Sequence, residues 1–181
     1  MAMALQPFQE YDPAWEASFL LEKERLLQHF VTQAQSIHHI GSTAIPGMPG
    51  KGIIDILITV TSLEPTEFYT TPLTALGYIN RPVPERPESP FFTKPAERPR
   101  THNVHIALTN SLYERSHLAF RDYLISHPTE AAVYADAKRA LTRDGYILPE
   151  RYSVEKASVA SDLAQRAMAW AQRLTLTSNS E

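Results

Sequence analysis

The residues best suited to chemistry lie in one short stretch, residues 39–58, where glycine, serine, lysine and aspartate stand close together. Gly41 and Ser42 end a predicted strand, and a loop rich in glycine and proline then carries Lys51. Asp55 follows within an otherwise apolar run. Small residues let backbone N–H groups approach an anion, a lysine offsets its charge, and a carboxylate can hold a metal ion or a proton. The stretch predicts a phosphate site, although a two-metal site normally needs more carboxylates.

A histidine on a later strand is the second candidate for chemistry. His105 lies within the predicted strand 102–108, between apolar residues that point to the opposite face. If this strand neighbours the one that carries Asp55, the two side chains would form a proton-transfer pair or part of a Zn²⁺ or Mn²⁺ site. The alternative is a hydrogen-bonded core histidine. His39, beside the glycine–serine turn, is a weaker metal candidate for which we expect a structural role.

Further side chains are candidates for contact with an anionic ligand. They are Thr43, Lys94, Arg100, Arg121 and Lys138. The alternative for the threonine is to cap a short helix, and for the two cations on the C-terminal helices it is ordinary surface charge. Lys94 and Arg100 flank the His105 strand, which favours ligand contact. In the same proline-rich stretch, Arg81 and Arg86 either belong to a basic lid over an anionic ligand or are solvated surface charges, and we favour surface charges.

Strands precede helices along the chain. β-Branched runs predict strands at 36–40, 53–60 and 102–108, with shorter ones from 78 and near 91–93. Helical patterns predict helices from about 13, then over 65–76, 112–126, 128–142 and 149–173, with a break at Asp144-Gly145 and a frayed tail from Thr175. This order predicts an α+β domain with a C-terminal helical segment. We expect one domain over 1–181, strand-rich over about 36–108 and helical over about 112–173.

Composition narrows the class of protein. The chain has 181 residues, of which 43% are hydrophobic and 20% charged, which is typical of a globular protein. It has no cysteine, so disulfides and thiolate chemistry are excluded. Its net charge of −3 argues against a general nucleic-acid binder. No signal sequence or membrane span is evident, so we expect a cytoplasmic protein; the oligomeric state stays open.

Several motifs together resemble the GrpB-like family. They occur in the expected order between about Tyr11 and Ala171, and they are His39-Ile-Gly-Ser-Thr-Ala-Ile-Pro-Gly, Lys51-Gly-Ile-Ile-Asp-Ile, Thr101-His-Asn-Val-His-Ile and Phe120-Arg-Asp-Tyr-Leu. The resemblance implies a nucleotidyltransferase-like mixed β-sheet with packed helices. It also implies relatives that are fused to dephospho-CoA kinase. The resemblance therefore predicts a fold but does not define an activity.

The nucleotidyltransferase pattern is only partly present. Gly41 and Ser42 follow an apolar residue as the pattern requires, and Asp55 matches the first of two alternating carboxylates. Leu57 stands at the second carboxylate position and His105 at the third. A leucine cannot bind a metal, and Mg²⁺ prefers oxygen ligands to imidazole. The usual two-magnesium reaction is therefore not expected.

The resulting hypothesis is a divergent domain that binds a nucleotide or another phosphorylated small molecule. The hypothesis leaves open whether the domain also binds one divalent metal (Mg²⁺, Mn²⁺ or Zn²⁺) and whether it has residual transferase activity. The alternative is a non-catalytic accessory or ligand-binding module, related to CoA metabolism or to protein interaction.

Overall fold

The computed structural model describes residues 7–30, 33–95, 99–143, 145–147 and 149–178. The helices are α1 (Ala14–His29), α2 (Glu67–Ala75), α3 (Leu112–Ser126), α4 (Pro128–Ala140) and α5 (Pro149–Ser178), with a short 3-10 helix at Ser42–Ala44. The strands are β1 (Ala34–Ile40), β2 (Ile54–Val60), β3 (Ile79–Asn80), β4 (Phe91–Lys94), β5 (His102–Leu108), β6 (Thr142–Arg143) and β7 (Tyr146–Ile147).

Within the described residues, five strands form one mixed sheet in the order β1-β2-β5-β4-β3. β2 runs parallel to β5 and antiparallel to β1, while β4 runs antiparallel to both β5 and β3. The short strands β6 and β7 pair separately. A mixed sheet with helices packed against it confirms the predicted α+β class.

The central strands β2 and β5 divide the molecule into an apolar face and a polar face. Ile56 and Ile58 of β2 and Val104 and Ile106 of β5 share one buried cluster with side chains of α1 and α2. Because side chains alternate along a strand, Asp55 lies on the opposite face, as the sequence predicted. No helix in the described part of the chain is both long enough and apolar enough to cross a membrane.

The region after α4 differs from the sequence prediction. The helix ends at Ala140 rather than at residue 142, because β6 turns back there to pair with β7. Gly145 lies in the connecting turn with φ +76°, a left-handed conformation that glycine adopts readily. The other half of the predicted break, Asp144, lies outside the described residues.

Several other boundaries also differ. β1 begins at Ala34 rather than at residue 36. α5 continues to Ser178, so the prediction of a frayed tail from Thr175 is wrong.

A buried carboxylate organises the apolar face of the sheet. Glu22 of α1 is only 1% exposed. Tyr78 and Lys94 each donate a hydrogen bond of 2.9 Å to its Oε1, and Arg25 donates one of 3.3 Å to its Oε2. Burial raises the pKa of Glu22, but the hydrogen bonds from Lys94 and Tyr78 outweigh it, so the pKa lies below its ordinary value. The carboxylate is therefore held in its charged form.

The substitution Lys94→Met tests this network. It removes the nearest cation from Glu22, and we expect the free energy of unfolding at pH 7 to fall by about 1–3 kcal/mol. This loss of stability is smaller than the loss expected on breaking a fully buried ion pair, because 24% of the Lys94 side chain is exposed.

The pH dependence of this loss follows from the lowered pKa of Glu22. The stabilisation is present above the unfolded pKa of about 4.3 and disappears as the pH falls through the folded value. Urea denaturation at about pH 7 and about pH 3.5 should show a gap in unfolding free energy between the two proteins that narrows at the lower pH. A gap of the same size at both pH values would contradict this account.

Candidate functional site

A cleft of about 680 Å³ opens on the polar face of the sheet, above β2 and β5. Such a volume lies within the range of about 300–1,000 Å³ that is usual for small-molecule sites. Its lining includes Gly41, Ser42, Thr43, Lys51, Asp55, Arg86, Phe91, Arg100, Asn103, His105, His117, Phe120 and Tyr134. The structure thus brings Asp55 and His105 into one cleft with the glycine–serine turn.

The turn after β1 passes directly over the Asp55 carboxylate. In the register of β1 and β2, Ile40 lies opposite Asp55, so the next residue, Gly41, reaches the side chain. A Cβ added to Gly41 would lie 2.6 Å from Asp55 Oδ2, and Gly41 has φ +72°. Both the contact and the left-handed backbone require glycine here. The turn and the carboxylate therefore form one rigid corner of the cleft.

Asp55 is held by its neighbour on β5. Asn103 lies level with Asp55 in the parallel register and donates a hydrogen bond of 2.7 Å from Nδ2 to Asp55 Oδ1. His105 lies two residues further along β5, and its Nε2 is 4.0 Å from the same oxygen. That separation exceeds a hydrogen bond. Asp55 and His105 are therefore near each other but do not form a direct proton-transfer pair.

A chain of hydrogen bonds fixes the His105 imidazole from behind. Arg86 Nη1 donates to the Tyr113 hydroxyl oxygen at 3.1 Å, and that hydroxyl lies 2.8 Å from His105 Nδ1. Because the hydroxyl accepts from the guanidinium, we infer that it donates its own proton to Nδ1, which places the imidazole proton on Nε2. Burial, together with the nearby His117 and Arg86, lowers the pKa of His105 to about 3. The cleft therefore meets a neutral N–H donor.

The described residues offer few ligands to a divalent metal. His105 Nδ1 is hydrogen-bonded to Tyr113, which leaves Nε2 as the nitrogen on the side of Asp55. Leu57, at the second carboxylate position, is fully buried against Ile40 and Ala107. Across the described residues, no group of three or more His, Cys, Asp or Glu side chains is arranged to hold a metal ion. The metal roles of Asp55 and His105 therefore stay predictions.

Lys138 lies behind the glycine–serine turn and not over the cleft. It is 1% exposed, and its Nζ donates to Ser42 Oγ at 2.6 Å and to the Pro49 carbonyl oxygen. Gly50 is fixed beside it by two backbone hydrogen bonds of 2.9 Å with Gln9. Lys138, expected to contact an anionic ligand, is not part of the cleft lining, because the end of α4 packs it against the loop that contains Pro49. Lys138 instead positions Ser42 at the cleft wall.

Two other predicted ligand contacts lie outside the cleft lining. Lys94 is on the apolar face of the sheet, where it pairs with Glu22. Its position opposite His102 across β4 and β5 turns it away from the polar face. Arg121 donates to the His39 carbonyl oxygen at 2.9 Å and to Asp122 Oδ1 at 2.7 Å. Both side chains are structural in this arrangement.

His39 is also structural, as the sequence favoured. Its Nδ1 lies 3.1 Å from Glu16 Oε2, and its Nε2 lies 3.0 Å from Thr43 Oγ1. Its ring stacks on Phe19 with centroids 4.6 Å apart. Because both nitrogens have partners, a metal role for His39 is not supported. The Thr43 hydroxyl, which also donates to the Ile53 carbonyl oxygen, helps to hold the turn in place.

The structure adds cleft residues that the sequence did not single out. Asn103 had a usable signal, since it lies two residues before His105 and strand alternation puts both on one face. His117 and Phe120 follow Tyr113 at helical spacing, which also indicates a shared face. Arg86 had no such signal, because its loop is irregular. The expectation that Arg86 is an ordinary surface charge is wrong, since it lines the cleft.

The chain thus has an α+β fold with a cationic cleft beside a glycine–serine turn. Its similarity to known proteins identifies its family. The chain belongs to the GrpB family: residues 7–166 match the family described as GrpB protein. It is 35% identical over 161 residues to the UPF0157 protein PA4798 of Pseudomonas aeruginosa, covering 87% of this chain and 66% of that protein. The family membership predicted from the motifs is confirmed.

Solved structures and longer relatives extend the comparison. The crystal structure of the conserved protein GrpB from Enterococcus faecalis has a TM-score of 0.79 at 27% identity, over 91% of this chain and 99% of that one. A dephospho-CoA kinase of Mycolicibacterium paratuberculosis is 31% identical over 186 residues, covering 88% of this chain and 45% of that protein. A fainter likeness, with a TM-score of 0.49 at 16% identity, is to the Cid1 poly(U) polymerase, over 75% of this chain and 46% of that one.

The substitution Gly41→Ala tests the corner formed with Asp55. The added methyl group meets Asp55 Oδ2 at φ +72°, and we expect the free energy of unfolding to fall by about 2–4 kcal/mol. Gly47→Ala is the matched control, because Gly47 has φ +77° but nothing lies within 4 Å of its added Cβ. The control substitution should lower the free energy of unfolding only by the backbone contribution, which is about 1–2 kcal/mol. Equal losses in chemical denaturation would show that Asp55 does not lie against the turn.

The protonation state of His105 can be read by ¹⁵N side-chain NMR. With a pKa of about 3, the ring should stay neutral, protonated at Nε2, from about pH 5 to about pH 8. Tyr113→Phe removes the partner of Nδ1, and we expect a detectable population of the other tautomer in that variant. A titration midpoint near the unperturbed value of about 6.5 in the wild type would contradict the assignment.

Proposed function

We propose that the cleft binds a phosphorylated small molecule, such as a nucleotide or a sugar phosphate, without a catalytic metal. The observation that carries the proposal is the charge of the lining. Among the described residues, the cations Lys51, Arg86 and Arg100 face one carboxylate, Asp55. Guanidinium and ammonium groups around a glycine-containing turn are well suited to a phosphate. The neutral N–H of His105 adds a donor without adding a basic group.

The same features favour ligand binding over a phosphoryl or nucleotidyl transfer reaction. Two-metal phosphoryl or nucleotidyl transfer needs carboxylates that hold both ions. Here Asp55 is joined by a buried leucine, Leu57, and by an imidazole whose Nδ1 is hydrogen-bonded to Tyr113. Asp55 can still accept a hydrogen bond from a hydroxyl or an amine of the ligand. We therefore assign it a recognition role.

The ligand is confined to small molecules by the size of the cleft. A volume of about 680 Å³ accommodates a nucleotide or a sugar phosphate. The relatives named dephospho-CoA kinase make dephospho-CoA and CoA reasonable members of a screening panel. They do not transfer that activity to this chain, because fold and sequence similarity alone do not fix a reaction.

Thermal shift and calorimetry with a metabolite panel test the proposal. The panel holds nucleoside mono- and triphosphates, sugar phosphates, dephospho-CoA and CoA, each with EDTA. A binding ligand at about 100-fold its Kd should stabilise the protein by about 2.7 kcal/mol. Lys51→Gln should weaken binding by about tenfold or more, because it removes a charge from the phosphate site. Arg115→Gln is the control, since it removes an exposed charge from α3.

Two results would contradict this function. One is the absence of binding across the panel. The other is Mn²⁺-dependent turnover of labelled nucleoside triphosphates that Asp55→Ala abolishes, which would show catalysis in place of simple recognition.

A further inference from the structure

The charges in the cleft follow an order along the strands. Lys51 and Arg100 precede β2 and β5, so they lie at one end of the parallel pair. Asp55 and Asn103 come next, level with each other. His105 lies two residues further along β5. Since an extended chain rises about 3.3 Å per residue, the backbone at Arg100 and at His105 is separated by at most roughly 16 Å.

Arg86 places a further positive charge at the His105 end. Its guanidinium is bonded to the Tyr113 hydroxyl, and its central carbon lies 5.9 Å from the Tyr113 ring centroid. Arg86 is half-buried in the cleft wall. No ion pair joins it to a carboxylate among the residues that the structure describes. A half-buried cation of this kind gains most from an anion that enters the cleft.

The Asp55 carboxylate separates the two positive ends. An anionic group seated beside it would be repelled, and this repulsion is strong where water is partly excluded. Hydroxyl groups are accepted there, because the carboxylate can receive their hydrogen bonds. The lining therefore alternates from positive to negative to positive along the strand direction.

We propose that Arg86 forms a second anion subsite, and that the ligand is a bisphosphate with a phosphate at each end and hydroxyl groups between them. This inference rests on the proposed function and adds the ligand class to it. One phosphate lies against Lys51 and Arg100 beside the glycine–serine turn. The other lies against Arg86, at the end of the cleft away from Lys51 and Arg100. The hydroxyl-bearing middle faces Asp55.

Two matched pairs of probes test the inference by calorimetry. They are fructose 6-phosphate against fructose 1,6-bisphosphate, and adenosine 5′-monophosphate against adenosine 3′,5′-bisphosphate. In at least one pair the bisphosphate should bind the wild type about tenfold tighter or more. Arg86→Gln should remove that preference and leave monophosphate affinity within about twofold. Arg81→Gln is the control, because it changes the same charge in the same loop outside the cleft lining.

A second variant separates binding by Arg86 from mere support of the His105 ring. Tyr113→Phe cuts the hydrogen bond to Arg86 but keeps the guanidinium, so the bisphosphate preference should survive. Two results would show that the second subsite is wrong while the proposed function stands. In one, Arg86→Gln weakens the binding of both members of a pair equally. In the other, neither bisphosphate binds the wild type more tightly than its monophosphate. If no member of either pair binds and the wider metabolite panel is also silent, both proposals fall.

Discussion

The parallel pairing of β2 with β5 is the constraint on which the whole site depends. It sets Asn103 level with Asp55 and His105 level with Leu57, so the polar side chains form a row on one face. The antiparallel strand β1, on the other side of β2, brings Gly41 over the Asp55 carboxylate. A shift of one residue in either pairing would move these side chains into the apolar cluster. The hydrophobic alternation that forms the core therefore also fixes the geometry of the cleft.

The packing that builds the cleft also limits its chemistry. Leu57 is fully buried where a second carboxylate would be needed, and Tyr113 occupies one nitrogen of His105. Burial keeps that imidazole neutral, because a charged ring would lose its hydration. Among the described residues, the cleft keeps one carboxylate, several cations and a neutral donor. These groups are well suited to recognising a charged ligand and poorly suited to holding metal ions.

Local signals were enough to predict much of the fold. The strand over 102–108 and the helix over 112–126 have the bounds that the sequence indicated, because each has a clear period and defined ends. Alternation also placed His105 on the face of its strand opposite to Val104 and Ile106. The mixed α+β sheet followed from the motifs that resemble the GrpB family.

The remaining site residues depend on information that is not local. Lys94 and Arg100 both flank the His105 strand, yet the pairing of β4 with β5 sends Lys94 to the apolar face. Lys138 has the spacing of a surface lysine, but the end of α4 packs it behind Ser42. Arg86 lies in a proline-rich loop without a period, so only the tertiary fold shows that it reaches the cleft. In each case the deciding contact joins segments that are distant in the chain.

The most direct measurement is a crystal structure of the protein soaked with adenosine 5′-monophosphate and Mn²⁺, with anomalous data collected at the manganese edge. We expect phosphate density against Lys51 and Arg100, a hydroxyl group of the ligand against Asp55, and no anomalous peak in the cleft. An anomalous peak coordinated by Asp55 or His105, or a nucleotide bound with its phosphate away from Lys51 and Arg100, would contradict this expectation.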